Sequence, residues 1–241
     1  MNKKPLSTLV AEKYQQLINL LKQTVEQYQK VVLATSLGIE DVILMETVFQ
    51  QKLPIAMFTL ETGRLPEETL TLLQTLQKRY EGAINIYFPD AQAIESYTKT
   101  HGINGFYQSV DLRKQCCYIR KVAPLQRALS GYKAWLTGIR QQQSIERSGL
   151  VLSTWDEAHG LQKINPLIDW LAKEIWELAH YLEVPYNSLH DQHYPTIGCA
   201  PCSRAIAQGE DFRAGRWWWE QNANKECGLH SPTLNSGIAV L

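Results

Sequence analysis

The five cysteines tie distant parts of the chain together. Cys116-Cys117 lies inside Lys114-Gln115-Cys116-Cys117-Tyr118-Ile119-Arg120-Lys121, and Cys199-Ala200-Pro201-Cys202 follows Thr196-Ile197-Gly198. Cys227 stands alone in Lys225-Glu226-Cys227-Gly228-Leu229-His230. Taken singly the pairs say little, because C-x-x-C is also a redox dithiol pattern and adjacent cysteines can be small buried residues. Together they suit one metal or iron–sulfur centre that leaves a single thiol to react. Structural disulfides and unconnected buried thiols are the competing readings.

The chain has 241 residues, 44% of them hydrophobic, enough for one sizeable core, so one domain is expected. Lys plus Arg equals Asp plus Glu at 24 each, which argues against a polyanion-binding protein and makes any basic site local. Met1-Asn2-Lys3-Lys4-Pro5 leads into a mixed polar helix pattern, and no apolar stretch reaches the length of a membrane span. A reducing, cytoplasmic compartment is the simplest expectation, since five cysteines cannot all pair within one chain.

Apolar residues at helical spacing from Leu9 to Val25 predict an amphipathic first helix with Ser7 at its start. The β-branched run from Lys30 to Thr35, the loop Ser36-Leu37-Gly38-Ile39-Glu40-Asp41 and the apolar run after it form a strand–loop–helix unit. Such a loop can present N–H groups to a phosphate, with Gly38 permitting close approach and Ser36 offering a hydroxyl, or it can merely turn the chain. Further strands are expected over Leu53–Leu60, Ile84–Pro89, Trp135–Gly138 and near Lys163–Leu167, with a cysteine-bearing helix from about Arg113 to Ala128. The alternation predicts an α/β fold with a twisted parallel sheet covered on both faces. Ligands of such sheets sit beyond the carboxyl ends of the strands, so Ser36–Gly38, Thr62-Gly63-Arg64 and Gly138–Arg140 are expected around one crevice.

The motifs Ser36-Leu37-Gly38-Ile39-Glu40-Asp41, Leu60-Glu61-Thr62-Gly63-Arg64, Gly138-Ile139-Arg140, Lys163-Ile164-Asn165-Pro166-Leu167, Arg213-Ala214-Gly215-Arg216-Trp217-Trp218-Trp219-Glu220 and Glu226-Cys227-Gly228-Leu229-His230 join the two cysteine pairs in one pattern. In combination the chain resembles the assimilatory sulfonucleotide reductases, of the adenylyl-sulfate (APS) reductase type that carries an iron–sulfur cluster. The resemblance covers nearly the whole chain. It implies an adenine-nucleotide α-hydrolase-like fold and reduction of APS to sulfite and AMP by thioredoxin, or glutaredoxin, in sulfate assimilation and cysteine biosynthesis. It also implies a homo-oligomer. Relative to the wider ATP pyrophosphatases, Leu37 replaces the first loop glycine and Glu40-Asp41 replaces the Asp-Ser end, which narrows the room for a pyrophosphate and weakens ATP-driven adenylation as an alternative.

By the resemblance, Cys116, Cys117, Cys199 and Cys202 hold a [4Fe-4S] cluster, a set that sequence alone leaves open to zinc. Lys121 is the implied cation between cluster and substrate, and Lys114 and Arg120 are further cations able to offset thiolate charge. Cys227 is the expected nucleophile, attacking the sulfate sulfur to give an S-sulfocysteine and AMP, with His230 as a candidate helper. Arg213 and Arg216, three apart, can share a face and clamp a sulfate or phosphate; Arg140 and Arg147 are weaker candidates. Trp217-Trp218-Trp219 reads as packing rather than a nucleic-acid platform, because no basic patch accompanies it. Residues 1–203 are expected to form the nucleotide-binding unit and 204–241 a catalytic tail of the same domain. A PAPS reductase, or a metal-cluster sensor that binds adenine nucleotides without turnover, are the remaining alternatives.

Overall fold

The computed structural model describes residues 5–144, 147 and 149–220. Six strands form one sheet in the order β3-β2-β1-β4-β6-β5. They are β1 Val31–Thr35, β2 Ile55–Leu60, β3 Ile84–Tyr87, β4 Ala134–Leu136, β5 Ser153–Asp156 and β6 Leu161–Ile164. All neighbours pair in parallel except β5, which runs antiparallel to β6 at the sheet edge. The register sets Val31, Val32 and Leu33 beside Ile55, Ala56 and Met57 on one side and Ala134, Trp135 and Leu136 on the other.

Period-two alternation divides the core into two layers. Val31, Leu33, Met57, Ala134 and Leu136 point into the larger one, where α1 (Thr8–Tyr28), α2 (Ile39–Gln50) and α7 (Ala172–Leu182) cover the sheet. Val32, Phe58 and Trp135 face the opposite side and meet Leu125, Ala128 and Leu129 of α6 (Ala123–Leu129). α2 is apolar on almost every side because it lies in the middle of its layer: Val42, Ile43, Leu44 and Met45 are all fully buried. α1 and α7 keep the narrower stripe of covering helices, with Val10, Leu17 and Leu21 buried in one and Ile175, Leu178 and Leu182 in the other. The remaining long helices, α3 (Glu67–Arg79) and α4 (Ala91–His101), follow β2 and β3. The expected first helix, parallel sheet and strand positions are therefore present. The edge strand β5 and α4 are additions to the elements that the sequence pattern predicts.

The expected continuous cysteine helix is broken into parts. α5 (Val110–Cys117) begins at Ser109, whose hydroxyl accepts from the Leu112 N–H, and ends at the cysteine pair. A π-turn, Tyr118–Val122, then leads into α6. π-turns widen a helix locally and re-aim its side chains, a feature frequent at functional sites. Here the turn buries Arg120 and brings Lys121 to a cavity wall.

Candidate active site

Strand order reverses at β1, with β2 on one side and β4 on the other, and this switch point is where the connections leave a crevice. A cavity of about 220 Å³ opens there. Its floor is apolar, built by Ala34, Phe58, Leu60, Leu125 and Trp135. Around that floor stand Ser36 and Gly38 after β1, Thr62 after β2, and Gly138 after β4. Lys121, Arg147, Arg213 and Arg216 supply its cations, so eight of the residues expected at the substrate are brought together.

The other three are placed elsewhere. Arg140 is buried beside the cavity rather than in its wall; its Nε donates to Glu40 at 2.8 Å and its Nη1 to the Trp170 carbonyl at 3.2 Å. Arg64 donates to Asn104 and to the Ile103 carbonyl and lies over the Phe106 ring. Gly63 serves the backbone: it has φ +71°, and a Cβ there would come within 3.1 Å of Arg120 Nη1.

The Ser36 loop keeps its donors for itself. The Ser36 N–H and hydroxyl both donate to Asp41, at 2.6 and 2.7 Å, in the first turn of α2. Burial pushes the Asp41 carboxyl up to about 6, against the lowering effect of the Ser36 bonds. Leu37 holds a left-handed backbone, φ +63°, with its side chain in the core. The glycine-like turn is thus retained without glycine, at a cost of about 1–2 kcal/mol. With Glu40 and Asp41 on this wall, the β1–β4 side of the cavity is rich in acceptors.

The opposite character is found beside the cysteines. Cys199, Cys202, Phe106 and Trp217 form a small buried cluster, with Cys116 packed on it. Cys116, Cys117, Cys199 and Cys202 are all free thiols. Cys199 Sγ lies 3.4 Å from the hydroxyl of Thr62, a cavity residue. Arg120 donates to the Thr62 carbonyl at 2.6 Å, and its charge favours the Cys116 thiolate, so one buried guanidinium stands near both cysteine segments. Burial and the neighbouring Cys199 push the Cys202 thiol up to about 12, opposed by Arg216 and Lys121. Burial likewise raises Cys116, opposed chiefly by Arg120. Lys114 is exposed.

Arg216 is the best-placed anion donor. It is buried, lines the cavity, and its Nε has no hydrogen-bond partner among the described residues. Its guanidinium packs so closely on Gly198 that a Cβ there would lie 2.3–2.5 Å from it. Two more buried polar atoms without partners among the described residues belong to cavity residues that sequence reasoning missed, Thr196 Oγ1 and His190 Nε2. The His190 Nδ1 lies 2.9 Å from the Tyr194 carbonyl, which can only accept, so Nδ1 carries the proton and Nε2 remains an acceptor. Burial also lowers the His190 pKa, in keeping with a neutral ring. The only sequence signal for these two was their place just before Gly198-Cys199. Cys227 and His230 lie outside the described residues.

A parallel sheet with a cation-lined cavity at its switch point, and a buried free thiol, Cys199, against the cavity residue Thr62, defines a nucleotide-binding α/β protein with sulfur groups beside its site. The family model for the phosphoadenosine phosphosulfate reductase domain matches residues 30–205, and the chain belongs to that family. It is 52% identical over 213 residues to the adenosine 5′-phosphosulfate reductase of Allochromatium vinosum, spanning 88% of this chain and 83% of that one. It is 47% identical over 229 residues to the Burkholderia cepacia protein of the same name, spanning 95% and 92%. Among solved structures, phosphoadenylyl-sulfate (PAPS) reductase from Candida auris in a phosphate complex superposes with TM-score 0.67 at 25% identity, over 83% of this chain and 98% of that one. The NH3-dependent NAD synthetase of Campylobacter jejuni shares the fold at TM-score 0.52 and 16% identity, over 73% and 74%. No helix among the described residues is long and apolar enough to cross a membrane.

Proposed function

We propose that the chain reduces adenosine 5′-phosphosulfate to sulfite and AMP, taking electrons from thioredoxin or glutaredoxin in cytoplasmic sulfate assimilation. The observation that carries this reading is the cavity itself: its apolar floor suits a purine, and Lys121, Arg213 and Arg216 gather where it meets the cysteines. Glu40 and Asp41 on the β1–β4 side suit ribose hydroxyls and disfavour a second phosphate, which argues for APS over PAPS.

In this reading the cations hold the phosphate–sulfate group while the Cys227 thiolate attacks the sulfate sulfur. The S–O bond to AMP breaks, its electron pair leaves on the AMP phosphate, and an S-sulfocysteine remains. A thioredoxin thiolate then attacks the Cys227 sulfur and releases sulfite; the mixed disulfide is resolved by thioredoxin's second thiol. His230 is the candidate to assist the Cys227 thiolate. Cys199 and Cys202 are poor alternatives as nucleophiles, because they are buried and burial keeps the Cys202 thiol protonated. Residues 204–241 act as a catalytic tail on the nucleotide-binding unit 1–203, and the protein works as a homo-oligomer.

Cys116, Cys117, Cys199 and Cys202 would hold a [4Fe-4S] cluster. The donor set fits: three of these thiols share one apolar cluster, flanked by cations, where uncompensated thiolates would be costly. Among the described residues no three His, Cys, Asp or Glu side chains are grouped as a single ion requires. Cluster thiolates bond separate irons and need not converge on one point. The bound group would supply a fixed local charge and a cross-link between α5 and the C-x-x-C segment.

The test is sulfite release from APS and from PAPS with reduced thioredoxin, in the wild type and Cys227→Ser. Sulfite from APS that disappears in the variant, with AMP binding retained, supports the proposal. Nucleotide binding without sulfite would establish the sensor alternative, and equal turnover of PAPS would overturn the substrate assignment.

A further inference from the structure

Residues 213–220 carry the arginine clamp, and the contacts that hold them converge on one ion pair. Arg113 Nε and Nη2 donate to the two Glu220 carboxylate oxygens at 2.7 and 3.0 Å, across 107 residues of sequence, with both side chains buried. Arg113 lies in α5 three and four residues before Cys116 and Cys117, on the helix face they share. Arg113, Arg216 and Arg213 all stand over the fully buried Trp217 ring, at 4.5, 4.9 and 5.9 Å, and the last two line the cavity. Trp217 has φ +42°, a left-handed conformation that a bulky residue keeps only when its surroundings enforce it. The contacts that enforce it include Trp217 N–H to the Cys202 carbonyl at 3.4 Å, Glu220 N–H to the Trp217 carbonyl at 2.9 Å, and the Arg113 fork. Gly215 packs on the Arg204 carbonyl with no room for a Cβ, and its own carbonyl accepts from the Arg204 N–H at 3.0 Å, which ties the turn to the segment just after the C-x-x-C.

We propose that the Arg113–Glu220 pair is the latch that fixes the 213–217 turn against the cysteine helix, making both residues positioning residues for the arginine clamp on the bound phosphate–sulfate group. The inference rests on the nucleotide reading above. A buried bidentate pair is poor evidence for stability as such, since an apolar replacement of the same shape often serves equally well. Its geometric specificity is what the site uses: a planar fork on a planar carboxylate fixes both distance and angle, and the Trp217 ring passes that placement to Arg213 and Arg216. The latch reaches the clamp through the Trp217 ring, whereas the apolar floor and the acceptor wall are built by residues of β1, β2, β4, α2 and α6. Loss of the latch should therefore weaken recognition of the anion while sparing that of the nucleoside.

The experiment is to measure the affinities of AMP and adenosine for the full-length wild type, Glu220→Gln and the charge-retaining, shorter Glu220→Asp. The latch predicts AMP affinity down roughly tenfold in Glu220→Gln, the order of one charge-assisted hydrogen bond, with adenosine held within about twofold. Glu220→Asp, which keeps the charge and hence the fold, should show the same selective loss to a smaller degree. Parallel weakening of AMP and adenosine, or unchanged AMP affinity in both variants, would overturn the latch. A wild type that binds neither ligand would overturn the nucleotide reading and the latch with it.

Discussion

Replacing Asp41 with asparagine should change how stability depends on pH. The carboxyl is fully buried, and burial pushes it from 3.8 to about 6 although Ser36 gives it two hydrogen bonds. Holding the carboxyl at about 6 rather than 3.8 corresponds to roughly 3 kcal/mol between the protonated and charged forms. The sign follows from the direction. Because the folded-state value is raised, the protonated form is favoured in the fold, and this contribution is present below about pH 3.8 and lost as pH rises through about 6. The asparagine side chain cannot titrate, and its carbonyl oxygen can still accept from Ser36, so its own effect is a pH-independent offset. The stability difference, wild type minus Asp41→Asn, should fall by roughly 2–2.5 kcal/mol between about pH 4 and pH 7. Urea unfolding of both proteins across that range measures it, since other titrating groups largely cancel in the difference. A flat difference, or one that rises with pH, would refute the account of a destabilised charge in the loop.

Gly198→Ala should displace the Arg216 guanidinium, whose atoms would lie 2.3–2.5 Å from the new Cβ; titration with AMP should show a loss of roughly tenfold or more, the order of one charged hydrogen bond. Gly138→Ala would press a Cβ to 2.3 Å from Asp41 Oδ1 and 3.1 Å from the Asp41 nitrogen, so denaturant unfolding should show a loss of about 1–3 kcal/mol. Glu174→Ala removes the carboxylate that accepts from the Leu171 N–H at 2.8 Å and from Lys13 Nζ at 2.7 Å at the start of α7; chemical denaturation should report a loss of about 1–3 kcal/mol.

The sheet was legible because its strands are short apolar runs between turn signals, and the crevice because parallel strands place their loops on one edge. Within those loops the sequence could nominate a segment but not the direction of a side chain. Arg140 and Arg216 look alike in sequence. Bonds to Glu40 and to the Trp170 carbonyl hold the first behind the wall, and close packing on Gly198 holds the second in it. Likewise, Ser36 looks like a phosphate donor until Asp41, five residues later and in the first turn of α2, takes both of its hydrogens. His190 and Thr196 were hidden because the segment before the C-x-x-C has no periodic pattern, and only tertiary folding sets it against the ends of β1 and β4. Arg113 reads in sequence as an ordinary helical cation. Its partner is 107 residues away, a separation at which local pattern carries no information.

Mass analysis of the anaerobically purified chain, incubated with APS in the absence of any thiol donor and then mapped by peptide, tests the central claim most directly. The account predicts one sulfonate adduct, on Cys227, that disappears on addition of reduced thioredoxin with release of sulfite. An adduct on another cysteine, or none although AMP binds and the wild type is otherwise intact, would contradict it.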